Sequence, residues 1–241
     1  RYIAVTGVQT CALPISINGA RSWIPVMGVT LQPSELAKLG TLLFVSRLMA
    51  RPGMDNWRLA SWFAPACVVA LPVILIAVQP DWGTALVYVP MLLSLVFVGG
   101  MCWKHLTGAV ALLTALAPLA YFLLLGPPQR QRLITFLRPT ADVTGAGWNA
   151  HQSLLAVGSG GLWGKGFMAG TQHVLGFLPR TVAPTDFIFS VAAEESGFIG
   201  ACAIICAFLG IVICCLRAAV VAPDRYGMFL CVGATVVLFV H

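Results

Sequence analysis

The chain has 241 residues, of which 59% are hydrophobic and only 9% charged, and its mean hydropathy is +0.91. A soluble domain carries about 25% charged residues, so the composition excludes an ordinary soluble enzyme and indicates an integral membrane protein. The net charge of +6 would suit a nucleic-acid binder, but the Lys and Arg residues lie mostly in short connections between apolar runs, where the positive-inside rule places them; no nucleic-acid partner is expected.

Arg1 to Ser16 (RYIAVTGVQTCALPIS) lacks a basic run followed by an unbroken apolar core, so it is not a signal peptide. It reads as a non-native tail of translated sequencing adapter, and the fold is taken to start at Ile17. In the next stretch, INGARSWIPVMGVTLQPSELAK, Arg21 and Trp23 suit a membrane interface. Pro33 suits the first turn of a helix, and the helix dipole favours Glu35 there. The apolar runs predict an all-α, polytopic membrane protein with six spans, at residues 35–49, 59–78, 84–101, 106–125, 186–216 and 228–241. The second is long enough to cross a ~30 Å hydrocarbon core. QPDWG reads as a tight turn with Gly83 as breaker, and Trp103, Lys104 and His105 as a connection. Gly126-Pro127-Pro128 ends the fourth span and opens a loop, 126–185, that holds no span.

Arg47, Arg51, Arg58, Lys104, Arg217 and Arg225 mark three connections, and the QPDWG connection carries no Lys or Arg. The bias places the three basic connections in the cytoplasm. The QPSE and QPDWG strings and the long loop then share the outer face. With them go Glu35, Lys38, Asp81, Asp142, Asp186, Glu194 and Glu195, while Asp55 and Asp224 fall inside.

Carboxylates in or beside a bilayer are costly and point to function. Asp186 opens the fifth span, where it serves either as a helix cap or as a base facing a wet cavity. Capping would lower its pKa and weaken it as a base. On a continuous helix Glu194 and Glu195 point differently, so at most one faces the same cavity as Asp186; the other needs a Lys, Arg or backbone donor from a neighbouring helix. Glu35 and Lys38, at i and i+3, are spaced to pair on one helix face. Asp81 reads as a turn residue. The glycine-rich string GSGGLWGKG matches neither a Walker loop nor a dinucleotide fingerprint. Its glycines allow close backbone approach, and Lys165 with Arg130, Arg132 and Arg138 could hold a diphosphate. No metal-ligand spacing is present; most of the eight cysteines lie in apolar runs as small hydrophobes.

The strings GARSWI, QPSELAKL, QPDWGTAL, QRQRLITFLRPTADVTGAGWNAHQSLLAVGSGGLWGKGF, FLP and TDFIFSVAAEESGFIG together resemble the SEDS family (shape, elongation, division and sporulation proteins). QRQRLITFL and GSGGLWGKG stand closer to its RodA branch than to the division paralogue FtsW. The resemblance runs from Asn18 onward and makes 17–241 a partial SEDS transmembrane domain. It implies a peptidoglycan glycosyltransferase of the bacterial cytoplasmic (inner) membrane, polymerising lipid II for elongation and shape. A class B penicillin-binding protein is the implied partner. Asp186 matches the essential aspartate of the TDFIF motif, and Glu35 and Lys38 match the Glu–Lys pair of QPSE-x-AK. By this reading Asp186 is the catalytic base, Glu35, Lys38, Glu194 and Glu195 support it, and cationic side chains or a divalent cation neutralise the leaving diphosphate. The family has about ten helices of membrane-spanning length, so the six read here imply a fragment inactive alone. A lipid II flippase or transporter is the alternative, as is a scaffold for the transpeptidase without chemistry of its own.

Overall fold

The computed structural model describes residues 15–17, 20–26, 29–51, 59–79, 81–123, 126–137, 147–170 and 187–240. Three short strands, β1 (Ile15–Ile17), β2 (Ala20–Val26) and β3 (Val29–Leu31), form an antiparallel sheet in that order. Ile24 faces Leu31 and Val26 faces Val29 in its second ladder. Among the described residues the all-α expectation therefore holds from Pro33 onward, with this small sheet before it. Ile15 and Ser16, the end of the segment read as a tail, lie in β1, and Arg1 to Pro14 lie outside the described residues.

The helices are α1 (Pro33–Met49), α2 (Phe63–Val78, preceded by a 3-10 turn, Leu59–Trp62), α3 (Trp82–Val98), α4 (Trp103–Leu123), α5 (Pro127–Leu137), α6 (Trp148–Ser159), α7 (Ile188–Val221) and α8 (Arg225–Val240). The expected spans map onto α1, α2, α3, α4, α7 and α8, with three corrections. Gly83 does not break a helix; it lies in the first turn of α3, which starts at Trp82 because Asp81 caps it. Trp103, Lys104 and His105 belong to α4 rather than to a connection. Among its described residues the loop 126–185 contains two helices, α5 and α6, of 11 and 12 residues, too short to cross a bilayer.

The chain forms two compact units, residues 1–110 with 212–241, and residues 111–211. In the first, α1, α2, α3 and α8 pack on one another. Their core holds Leu42, Val45 and Met49 of α1, Val69 and Ile76 of α2, Tyr88, Met91 and Leu95 of α3, and Phe229 of α8. Gly233 of α8 lies so close to Leu42 that an added Cβ would overlap its side chain, so glycine lets these helices approach.

The pattern on α1 identifies the solvent. Ser34, Lys38, Thr41 and Ser46 are buried beside Leu42, Val45 and Met49, whereas Leu36, Leu39, Leu43 and Phe44 are 46–57% exposed. In water that arrangement is the wrong way round; in lipid, where the outward face must be apolar and polar groups pair inside, it is the stable one. α2 and α3 also carry internal prolines, Pro72 and Pro90, as spanning helices tolerate. α4 and α7 are both long and apolar enough to cross a membrane, and α2, α3 and α8 are shorter apolar helices.

In the second unit, α6 packs on the start of α7 through Ala156, Phe187 and Val191. The Ser153 and Ser190 hydroxyls meet at 2.6 Å. After α6 the glycine-rich string runs as an irregular segment to Gly170.

Candidate functional site

α7 is not one helix. Gly197 has φ 69° and ψ −167°, which divides it into Ile188–Ser196 and a longer part from Phe198 to Val221. A glycine adopts that backbone without the Cβ penalty. Such a break strands backbone groups that would otherwise pair at i and i−4, and in an apolar setting each must find another partner. The glycine-rich segment supplies them. Phe198 and Ile199 donate their N–H groups to the carbonyls of Gly161 (2.8 Å) and Leu162 (3.3 Å). The freed carbonyls of Glu194 and Glu195 accept from the N–H groups of Lys165 (3.1 Å) and Gly166 (3.0 Å).

This contact is so close that no side chain fits. A Cβ on Gly160 would run into the Ala193 carbonyl, one on Gly164 into the Glu195 carbonyl, and one on Gly197 into the Gly164 backbone. Gly161, Gly164 and Gly166 also have positive φ. The string is therefore a strap whose main chain completes a broken helix.

The same splice pairs a buried carboxylate with a partly exposed lysine. Glu194 has no exposed side-chain surface, and Lys165 Nζ donates to its Oε1 at 2.7 Å. Lys165 Nζ also donates to Ser159 Oγ at 2.8 Å. Ser159 Oγ in turn donates to the Ala156 carbonyl at 2.9 Å and lies 3.4 Å from Glu194 Oε1. Gly170 closes over the other carboxylate oxygen, Oε2, which lies 3.0 Å from where its Cβ would be. The required partner of Glu194 is thus a lysine, but on the strap rather than on a neighbouring helix. Glu195 is half-buried and makes no side-chain hydrogen bond or ion pair among the described residues.

In the first unit the Glu35–Lys38 pair forms as its spacing predicts, with Nζ 2.8 Å from Oε1. Lys38 is buried and Glu35 half-exposed, so the pair reaches from the helical core toward the surface. Asp81 does more than turn the chain. Its Oδ1 accepts from Thr84 N at 3.3 Å and its Oδ2 from Thr84 Oγ1 at 2.8 Å, capping α3. Gln32 Nε2 donates to Oδ2 at 3.2 Å, which ties the QPSE string to the QPDWG string.

Arg130 folds back on its own neighbourhood. Its Nη2 donates to the Phe122 carbonyl at 2.8 Å, satisfying a terminal acceptor of α4, and its guanidinium lies 5.4 Å from the Tyr121 ring centroid. Asp186, Arg138 and the Arg132 side chain lie outside the described residues, as do Asp55, Asp142 and Arg180. Ser159, Gln32 and Gly197 were not singled out from sequence. Ser159 lies within the glycine-rich string itself, where the GS-GG pattern drew attention to backbone freedom and away from its hydroxyl.

A family model described as a cell cycle protein, covering FtsW, RodA and SpoVE, matches residues 3–241. The chain belongs to this family. MrdB of Escherichia coli strain K12, named a peptidoglycan glycosyltransferase, is 37% identical over 228 residues, covering 93% of this chain and 60% of that protein. Stage V sporulation protein E of Bacillus subtilis strain 168 is 36% identical, covering 90% of this chain and 58% of that protein. Among solved structures, a chain from a study of how a peptidoglycan synthase complex coordinates polymerization and crosslinking superposes with a TM-score of 0.70 at 29% identity, over 95% of this chain and 62% of that one. The crystal structure of the rod-shape-determining protein RodA from Thermus thermophilus gives 0.57 at 29% identity, over 95% of this chain and 57% of that one. The chain thus spans about 60% of the length of the family members it matches.

Proposed function

We propose that this FtsW/RodA/SpoVE-family chain is part of a peptidoglycan glycosyltransferase that polymerises lipid II at the outer face of the bacterial cytoplasmic membrane. The observation that carries the proposal is the chain-long similarity to proteins named for that activity, 37% over 93% of the chain for MrdB. The six-span arrangement with the 126–185 segment outside belongs to the same proposal, supported by the inverted polarity of α1.

In the reaction, Asp186 takes the proton from the acceptor sugar's hydroxyl as that oxygen attacks the anomeric carbon of the donor, and the diphosphate carrier leaves. A positioned base of this kind contributes about 100-fold or more. Arg130, Arg132, Arg138 and Lys165 are the proposed cations for the departing diphosphate. Of these, Lys165 already shares its charge with Glu194, which fixes the position of its ammonium group. Among the described residues no three His, Cys, Asp or Glu side chains converge, so no residue is assigned to a divalent cation. Glu35, Lys38, Glu194 and Glu195 serve as supports, the first pair in the α1 bundle and Glu194 at the strap. The match to a synthase-complex chain supports a class B penicillin-binding protein as partner. The RodA-like role in elongation rests on the MrdB and RodA likenesses.

The test is the intact protein in vesicles given fluorescent lipid II. Glycan strands on a gel are the expected product. Lipid II moved across the bilayer without strand formation would instead make the protein a transporter, and neither outcome with a bound transpeptidase would make it a scaffold.

A further inference from the structure

The strap that completes α7 carries four large apolar side chains that are mostly exposed among the described residues. Leu162 is 64% exposed, Trp163 81%, Phe167 88% and Met168 74%. In a polar, glycine-rich segment such a patch marks an interaction surface. Four main-chain hydrogen bonds and the Lys165–Glu194 pair fix Gly161 to Gly166 on the broken helix. Met168 itself sits at φ 59°, a conformation that costs a non-glycine residue free energy.

Two further observations identify what covers the patch. The first is continuity. The Leu162 carbonyl accepts from the Ile199 N–H, and α7 beyond that point exposes apolar side chains around its circumference, Phe198, Ile199, Ile204, Ile205 and Phe208 at 43–63%. The exposed apolar side chains of the strap thus adjoin those of a helix apolar enough to span a membrane. The second is depth. From Phe198 to Leu216, where Arg217 ends the apolar run, α7 rises about 28 Å, which matches a ~30 Å hydrocarbon core. The lower part of α7 is long enough to cross the core by itself; with the outer placement of 126–185 proposed above, on which this inference rests, the break at Gly197 and the strap bonded there lie at the outer boundary. That is the level at which tryptophan rings and lysine head groups are favoured.

We infer that Leu162, Trp163, Phe167 and Met168 form an interfacial anchor that dips into the head-group and upper acyl zone of the outer leaflet, with bilayer lipid as its occupant. The strap would then hold the broken end of α7 at a fixed depth through its backbone bonds on one side and lipid contact on the other.

A photoreactive residue tests this in the intact protein. p-Benzoyl-phenylalanine replaces Trp163, Phe167 or, as a reference on the lower wall of α7, Ile205. Each variant is irradiated in vesicles of phosphatidylethanolamine and phosphatidylglycerol, and the adducts are identified by mass spectrometry. All three positions are exposed, so the replacements disturb no packing. Lipid adducts at all three positions are expected. Adducts at 205 but only protein adducts, or none, at 163 and 167 would overturn the anchor. Absence of lipid adducts at 205 as well would overturn the membrane placement of α7 beneath it. Neither result bears on whether the protein polymerises lipid II.

Discussion

At the residue scale the Lys165–Glu194 pair is the most consequential contact the structure shows. Removing one member of a buried pair leaves the other charge desolvated without compensation, which costs more than the pair itself contributes. Lys165→Ala should therefore destabilise the protein by about 3 kcal/mol, read as a lower melting temperature in detergent. Replacing both residues by apolar ones (Lys165→Met with Glu194→Leu) should cost clearly less than the two single changes added together, because the double variant strands no charge. Additive losses would mean that the two side chains do not act on each other. Asp81→Ala should cost about 1 kcal/mol through loss of the α3 cap and should also release Gln32.

At the element scale the break in α7 sets Gly197 directly against Gly164. Gly197→Ala places a Cβ against the Gly164 backbone at a positive φ, so it should cost about 2 kcal/mol or more. Amide exchange should rise at Lys165, Gly166, Phe198 and Ile199, whose N–H groups close the splice. Gly40→Ala, in the middle of α1 with nothing within 4 Å of the added Cβ, should stabilise by about 0.5–1 kcal/mol. Equal effects at both positions would refute the splice. These helices were legible to different degrees. The apolar runs located all six long helices, because hydropathy is a local signal that survives without tertiary information. Their ends moved by up to five residues, as at the end of α7, and α3 starts two residues earlier than expected because Asp81 caps it. The break at Gly197 was not legible, since the polar EESG patch inside an apolar run says nothing about backbone direction. It exists only because a strap about thirty residues earlier supplies the missing hydrogen-bond partners, and no periodicity encodes that.

At the scale of the whole molecule, the inverted polarity of α1, the apolar exteriors of α4 and α7, and the family membership agree on a protein built for lipid. The candidate site was legible where spacing decides it, as with Glu35 and Lys38. Elsewhere it was only half legible: one of Glu194 and Glu195 called for a Lys, Arg or backbone donor, but sequence could not tell which, or that Lys165, read for diphosphate, would pair with Glu194. The central claim is that this family chain contributes the base of a glycan polymerase, and gel analysis of strands made from lipid II by the purified intact protein and its Asp186→Ala variant tests it most directly. The account predicts strands from the unmodified protein and a loss of about 100-fold or more in the variant, with its melting temperature unchanged. Strand synthesis by the variant at the unmodified rate would contradict it.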